Sequence, residues 1–204
     1  MVGFDRDYGT LIGVLSVIMR FFVAINLNKK EKTRIFRAAK ILQKLDMPVQ
    51  WIDPDKYHIL LKFLGDIPDD MIESVEQAIG RVASMTRTLD ISVQGLGAFP
   101  TIRSPELIWI GVDPTPALRC LKQDLEWSLT EYGFKREPRA FHPHLTLGRT
   151  KGDDGAGSFR GLDEKAANID FKSEIKIRKI DLMRSYVSDS DVRHIIHNSA
   201  KLGG

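Results

Sequence analysis

A chain of 204 residues, 43% hydrophobic and 28% charged, has the make-up of a folded globular protein, which excludes wholesale disorder, collagen and coiled-coil rods. Lys and Arg number 30 against 27 Asp and Glu, a net +3 that permits a nucleic-acid ligand without demanding one. The lone cysteine, Cys120, excludes an internal disulfide and a Cys-based zinc cluster, and fits a reducing, cytoplasmic setting.

Residues 1–18 read as an appendage rather than as an extra helix or strand. The apolar run from Leu11 to Met19 is broken by Arg20, short of the roughly 20 apolar residues of a membrane helix. Its flank, Asp5-Arg6-Asp7, is wrong for a signal peptide. Residues 19–204 form one domain. Phe21 to Leu27 has strand composition, and Lys29 to Leu45 has helical spacing in Ile35, Ala38, Ala39, Leu42 and Leu45. Trp51 to Asp55 is a turn, Tyr57 to Leu64 a strand, and Asp69 to Met85 a helix with Met71, Val75, Ala78, Ile79 and Val82 on one stripe. Leu89 to Leu96 is a strand, and Gly95 to Pro105 a Gly/Pro-bearing loop in which Phe99 and Arg103 could border a cleft. Leu107 to Val112 is a strand. Pro116 to Tyr132 is a helix closed by Gly133, with Cys120 read as buried packing. His144 to Gly148 is a strand, Gly152 to Gly161 a glycine- and acid-bearing loop, and Leu162 to Ala167 a short helix. Ile175 to Tyr186 holds one or two strands, and Val192 to Ile196 another.

The order strand–helix–strand–helix–strand therefore occurs twice, in repeats of about 20–99 and 106–186. A shift of 86 positions carries His58 onto His144, Phe22-Val-Ala-Ile onto Ile108-Trp-Ile-Gly and Ile91-Ser-Val onto Ile177-Arg-Lys. Two lobes related by a pseudo-twofold axis would face each other across a cleft, so the duplication predicts that His58 and His144 meet. Along a strand, side chains two apart share a face: His144 goes with Thr146, and His58 with Leu60, while Ile59, Leu61, Leu145 and Leu147 face a core.

Two imidazoles in one cleft can divide acid and base roles near pH 7. The Thr146 hydroxyl can hold a phosphoryl oxygen. Arg149 can add charge-assisted hydrogen bonds, provided that a bend after Gly148 turns it to the same face. Metal-free phosphodiester cleavage fits these parts.

The stretches Arg20-Phe-Phe-Val-Ala-Ile, His58-Ile-Leu-Leu-Lys-Phe-Leu-Gly, Gly95-Leu-Gly-Ala-Phe-Pro and Phe141-His-Pro-His-Leu-Thr-Leu-Gly-Arg resemble the RNA 2′,3′-cyclic phosphodiesterase family, also called the 2′–5′ RNA ligase family, of the 2H phosphoesterase superfamily. The resemblance spans about Met19 to Tyr186. It implies a bilobal α+β fold with antiparallel sheets lining a central cleft and helices outside. It also implies hydrolysis of a terminal 2′,3′-cyclic phosphate to a 2′-phosphate, without metal or other cofactor, with His58 as proton donor and His144 as acceptor. The implied partners are RNA ends or nucleotides carrying a cyclic phosphate. No membrane partner is expected, and a monomer is. The family pattern places Thr or Ser two residues after the first histidine, and Leu60 stands there.

Two other readings remain beside this one. Leu60 is compatible with a catalytically silent RNA-end binder. His142 and His144 with His58 could mimic the three histidines of a zinc hydrolase, although Pro143 between them and the lack of a suitably spaced carboxylate count against it. His142 otherwise reads as loop structure, Phe141 as core packing, and His194 and His197 as surface residues.

Overall fold

The computed structural model describes residues 18–151, 158–187 and 192–203. The proposed appendage, apart from Ile18, and residues 152–157 of the Gly152–Gly161 loop lie outside the described residues.

Among the described residues the chain runs through thirteen elements, apart from short 3-10 turns at Leu42–Lys44 and Pro54–Lys56. They are β1 (Ile18–Asn26), α1 (Lys29–Ala39), β2 (Val49–Trp51), β3 (His58–Gly65), α2 (Asp69–Met85), β4 (Leu89–Thr101) and β5 (Ser104–Val112). After these come α3 (Pro116–Thr130), β6 (His144–Thr150), α4 (Leu162–Ala167), β7 (Lys172–Ile177), β8 (Lys179–Val187) and β9 (Val192–Lys201). The strands form one antiparallel sheet in the order β7-β4-β5-β6-β3-β1-β8-β9, with β2 added beside β6. From its middle outward the order is symmetric: β6 answers β3, β5 answers β1, β4 answers β8 and β7 answers β9. The middle is thin. β3 and β6 share a single register pair, Ile59 with Leu145, whereas β1 and β3 are paired from Phe21 to Asn26. Two half-sheets meet at that seam and splay beyond it.

One face of both halves is dry. Ile25, Ile59, Leu61, Leu145 and Leu147 pack with Ile35 of α1, Val75 and Ile79 of α2 and Leu121 and Leu125 of α3 in a continuous core. The helices thus cover the outside and leave the other face open. β1 is buried on both faces, Phe21, Val23 and Ile25 toward the helices and Phe22 and Ala24 in a small cluster with Met183. That double burial is why it reads as an unbroken apolar run rather than an alternating one.

Several local expectations are revised. The 95–105 stretch is a hairpin, not a loop: β4 and β5 stay paired out to Thr101 and Ser104. Its glycine signal is a bulge, with Gly95 at φ 69° as the extra residue between Gln94 and Leu96. α1 stops at Ala39 and a 3-10 turn takes over. The expected turn at Trp51 begins with β2, which pairs with Gly148 to Thr150. Cys120 is exposed, because the buried stripe of α3 runs through Leu118, Leu121, Leu125 and Leu129. Ile177 ends β7, the strand hydrogen-bonded to β4, so the shift that places Ile91 on it does not follow the sheet symmetry, which sets β4 against β8.

Candidate active site

β3 and β6 are related by the 86-residue shift, because Ile59 pairs with its own counterpart, Leu145. An antiparallel ladder through that pair sets His58 across from Thr146 and Leu60 across from His144 on the open face. Each strand then carries a bulge at the same place. Leu61 is the extra residue opposite Val23 and Ala24, and Leu147 the extra residue opposite Ile108 and Trp109. A bulge inverts the face of the residues beyond it. Phe63 and Arg149 are thereby turned to the open face, while Lys62 and Gly148 are buried. The bend required for Arg149 is this bulge. The neighboring strands run alongside with one residue of slip: Phe22 pairs with Phe63 and Leu107 with Arg149, so Phe22 corresponds to Leu107 rather than to Ile108.

The result is one cleft of about 870 Å³ on the face opposite the helices. His58, His144, Thr146 and Arg149 all line it, as do Leu60 and Phe63. The symmetry of position is not a symmetry of chemistry. Thr146 and Arg149 on the β6 side answer Leu60 and Phe63 on the β3 side.

Both imidazoles are held alike. His58 Nδ1 lies 2.8 Å from the Lys56 carbonyl oxygen and His144 Nδ1 lies 2.7 Å from that of His142. A carbonyl only accepts, so each Nδ1 carries a proton and donates, and each Nε2 is left for chemistry. Burial pushes His58 down to about 4 against the raising effect of the Lys56 carbonyl, and His194, Lys32 and His144 push the same way as burial. His144 is also lowered, first by burial and then by Arg149 and His142, against its bond to the His142 carbonyl. Both shifts favor the neutral imidazole, a ready base, and an anion between the two rings would favor protonation of one.

Phe99, at the rim of the β4–β5 hairpin, stands edge-on to His144 with centroids 5.4 Å apart. Phe141 is partly buried against the core. His142 is exposed and contributes its backbone carbonyl. Among the described residues no group of three or more His, Cys, Asp or Glu side chains is placed to hold a metal ion, so the reading of His142 as a third zinc ligand finds no matching geometry.

Two histidines expected at the surface are engaged. His197 pairs with Glu76 of α2 at 3.1 Å and stands edge-on to Phe21. His194 lines the cleft, with its ring 5.5 Å from His58 and 5.2 Å from Phe22. β9 is the second strand of the β8–β9 hairpin, and it reaches the site through the pairing of β8 with β1 and of β1 with β3, contacts between residues far apart in the chain that leave no signature around His194. Arg20 is signaled only as the first residue of a family-like stretch, and Gln50 and Trp51 only by the turn beside them. All three line the cleft.

Comparison with known proteins gives the family and the fold. The 2'-5' RNA ligase superfamily model covers residues 49–188, and the chain belongs to that superfamily. An RNA 2',3'-cyclic phosphodiesterase of Methanothermobacter thermautotrophicus is 28% identical over 82% of this chain and 90% of its own. One of Archaeoglobus fulgidus is 32% identical over 65% of this chain and 73% of its own. The crystal structure of E. coli LigT complexed with 3'-AMP superposes with a TM-score of 0.72 at 20% identity, covering 92% of this chain and 99% of LigT, which speaks for the α+β fold alone. Among the described residues no helix is long and apolar enough to cross a membrane.

Proposed function

We propose that the protein is a metal-independent RNA 2′,3′-cyclic 3′-phosphodiesterase, acting on RNA ends or nucleotides that carry a cyclic phosphate. The observation that carries this reading is the pair of histidines, one from each repeat (20–99 and 106–186), fixed through Nδ1 and lining one cleft with Thr146 and Arg149. The relatives' names support the same substrate class.

In the proposed reaction His144 Nε2 takes a proton from water. The oxygen attacks phosphorus, the bond from phosphorus to the 3′ oxygen breaks, and His58 delivers its proton to that oxygen, leaving a 2′-phosphate. Thr146 and Arg149 hold the non-bridging oxygens as charge builds on them. The negative charge of the bound diester favors the imidazolium form of His58, which takes its proton from solvent. At the start of the reaction His58 is thus the imidazolium and His144 the neutral base.

The test is incubation of the purified protein with a short RNA ending in a 2′,3′-cyclic phosphate, with EDTA present. Conversion to a 2′-phosphate end is expected. Unchanged ends after long incubation would overturn the reading, and activity abolished by EDTA would favor a metal hydrolase. Leu60, exposed in the cleft where Thr146 has its hydroxyl, favors a second reading as a silent RNA-end binder, which binds such RNA without turnover.

A further inference from the structure

The two halves of the cleft are unequal in a way that needs an explanation. On the β6 side the phosphate has a hydroxyl and a guanidinium, Thr146 and Arg149. The equivalent positions on the β3 side are Leu60 and Phe63, which offer no hydrogen bond. A diester between His58 and His144 would be gripped on one side only by these strands. The β8–β9 edge supplies a polar group on the other. Arg20 of β1 pairs with Ser185 of β8, and Ser185 pairs with His194 of β9. Directly opposed residues of antiparallel strands share a face, so these three form a row, and all three line the cleft. At its end the His194 ring is edge-on to both His58 and Phe22, which aims an imidazole at the apolar half.

We propose that His194 is a third substrate-contacting histidine, donating a hydrogen bond to a phosphate oxygen on the His58 side and so serving the place that Leu60 leaves without a donor. The inference rests on the proposed phosphodiesterase reading for its chemistry and on the cleft geometry for its location. An imidazole keeps at least one N–H in either protonation state, so the role does not depend on its charge. It also explains how a first motif without its hydroxyl can remain functional.

The experiment is a double-mutant cycle with cyclic-phosphate-ended RNA. His194→Phe keeps an aromatic ring against Phe22 and His58 and removes the donor. A loss of about 10²-fold in kcat/KM is expected, the lower end of the range for a lost oxyanion contact. In the Leu60→Thr background the same change should cost less than about threefold, because the new hydroxyl serves the same oxygen. His194→Gln, which keeps an N–H, should recover part of the loss. A His194→Phe enzyme within about twofold of the parent, or an equal loss in both backgrounds, overturns the proposal. An NMR titration of the unaltered protein with inorganic phosphate needs no variant to fold and no turnover. The His194 ring-proton signal should move together with those of His58 and His144, and a His194 signal that stays still while theirs move overturns the proposal. Should the protein fail to hydrolyze the RNA while phosphate still moves all three signals, the phosphodiesterase reading falls and the His194 contact stands. Should hydrolysis depend on His144 but not on His194, the reverse holds.

Discussion

His58 joins a deep burial to the catalytic task proposed for it, and its protonation links the two. Burial favors the neutral ring in the folded state and holds it at about 4, below the roughly 6.5 of an unfolded chain. Between those values the unfolded state binds more protons, so the contribution of His58 to stability is complete above about 6.5 and is lost as pH falls toward 4. Urea midpoints measured across that range should drop less in His58→Gln than in the parent; parallel curves would show that the ring is not buried as described. In the proposed reaction the same ring must be protonated to act as donor. kcat/KM tracks the free enzyme and kcat the substrate complex, in which the diester charge raises His58. The alkaline limb of kcat should therefore lie at higher pH than that of kcat/KM, and coincident limbs would show that the diester charge does not raise His58. Replacing His144 by Ala should lower kcat by about 10²–10⁴, the range for one lost general acid–base step, in a rate assay on cyclic-phosphate-ended RNA. Leu60→Thr should leave the rate within about threefold of the parent, because His194 already serves the oxygen that the new hydroxyl would reach, and a gain of about 10²-fold would show instead that the missing hydroxyl limits the native protein. At this scale the sequence is most legible where chemistry is rare: a polar His-x-Thr flanked by Leu145 and Leu147 marks the open face of a strand. His194 is not legible, since a histidine among Ile195, Ile196 and Arg193 has no local pattern that tells a cleft wall from a sheet edge.

The bulges at Leu61 and Leu147 decide which side chains of β3 and β6 reach the cleft. Alternation alone sends Phe63 and Arg149 to the dry face, and the extra residue returns them. Lys62 takes a buried place instead, and that position is stable because α3 supplies a partner. Lys62 Nζ bonds Glu126, which also binds Lys122, and bonds the Lys135 carbonyl oxygen. Removing one partner of a buried charge leaves the other uncompensated. Glu126→Leu should therefore destabilize by about 3–5 kcal/mol in urea unfolding, far beyond the loss from a surface pair. A change under about 1 kcal/mol would mean that water reaches Lys62. Gly148 serves the other bulge. A Cβ there would lie 2.5 Å from Val49 Cγ1, so the glycine lets β2 lie across β6 and bring Gln50 and Trp51 to the cleft rim. The limits of helix α2 are legible in the sequence, because its apolar stripe and its ends are local. β2, three residues long, is not, because its only reason to be a strand is the neighboring β6.

The whole molecule turns on the seam between β3 and β6. Where β3 meets β6 the two half-sheets share one pair, Ile59 with Leu145, both fully buried, and β2 on β6 and the Lys62–Glu126 pair are further links between the halves. Leu145→Ala should cost about 2–5 kcal/mol as a core truncation, read by urea unfolding. Because both histidines sit next to that pair, the folded variant should also lose kcat more than KM changes. A variant that loses stability but keeps its kcat would show that the halves are held together elsewhere.

What the amino-acid order determined by itself was the set of local facts: helical stripes, alternating strands, the two histidine motifs and their 86-residue separation. These arise from periodicity and residue chemistry, which neighbors along the chain suffice to express. Tertiary structure alone decided that the hairpin at 95–105 stays paired, that the bulges face Phe63 and Arg149 inward, and that β9 delivers His194 beside His58. The hairpin is paired between near neighbors, Thr101 with Ser104, but the bulges and the approach of β9 depend on hydrogen bonds and packing between residues far apart in the chain, which exist only once the sheet has formed.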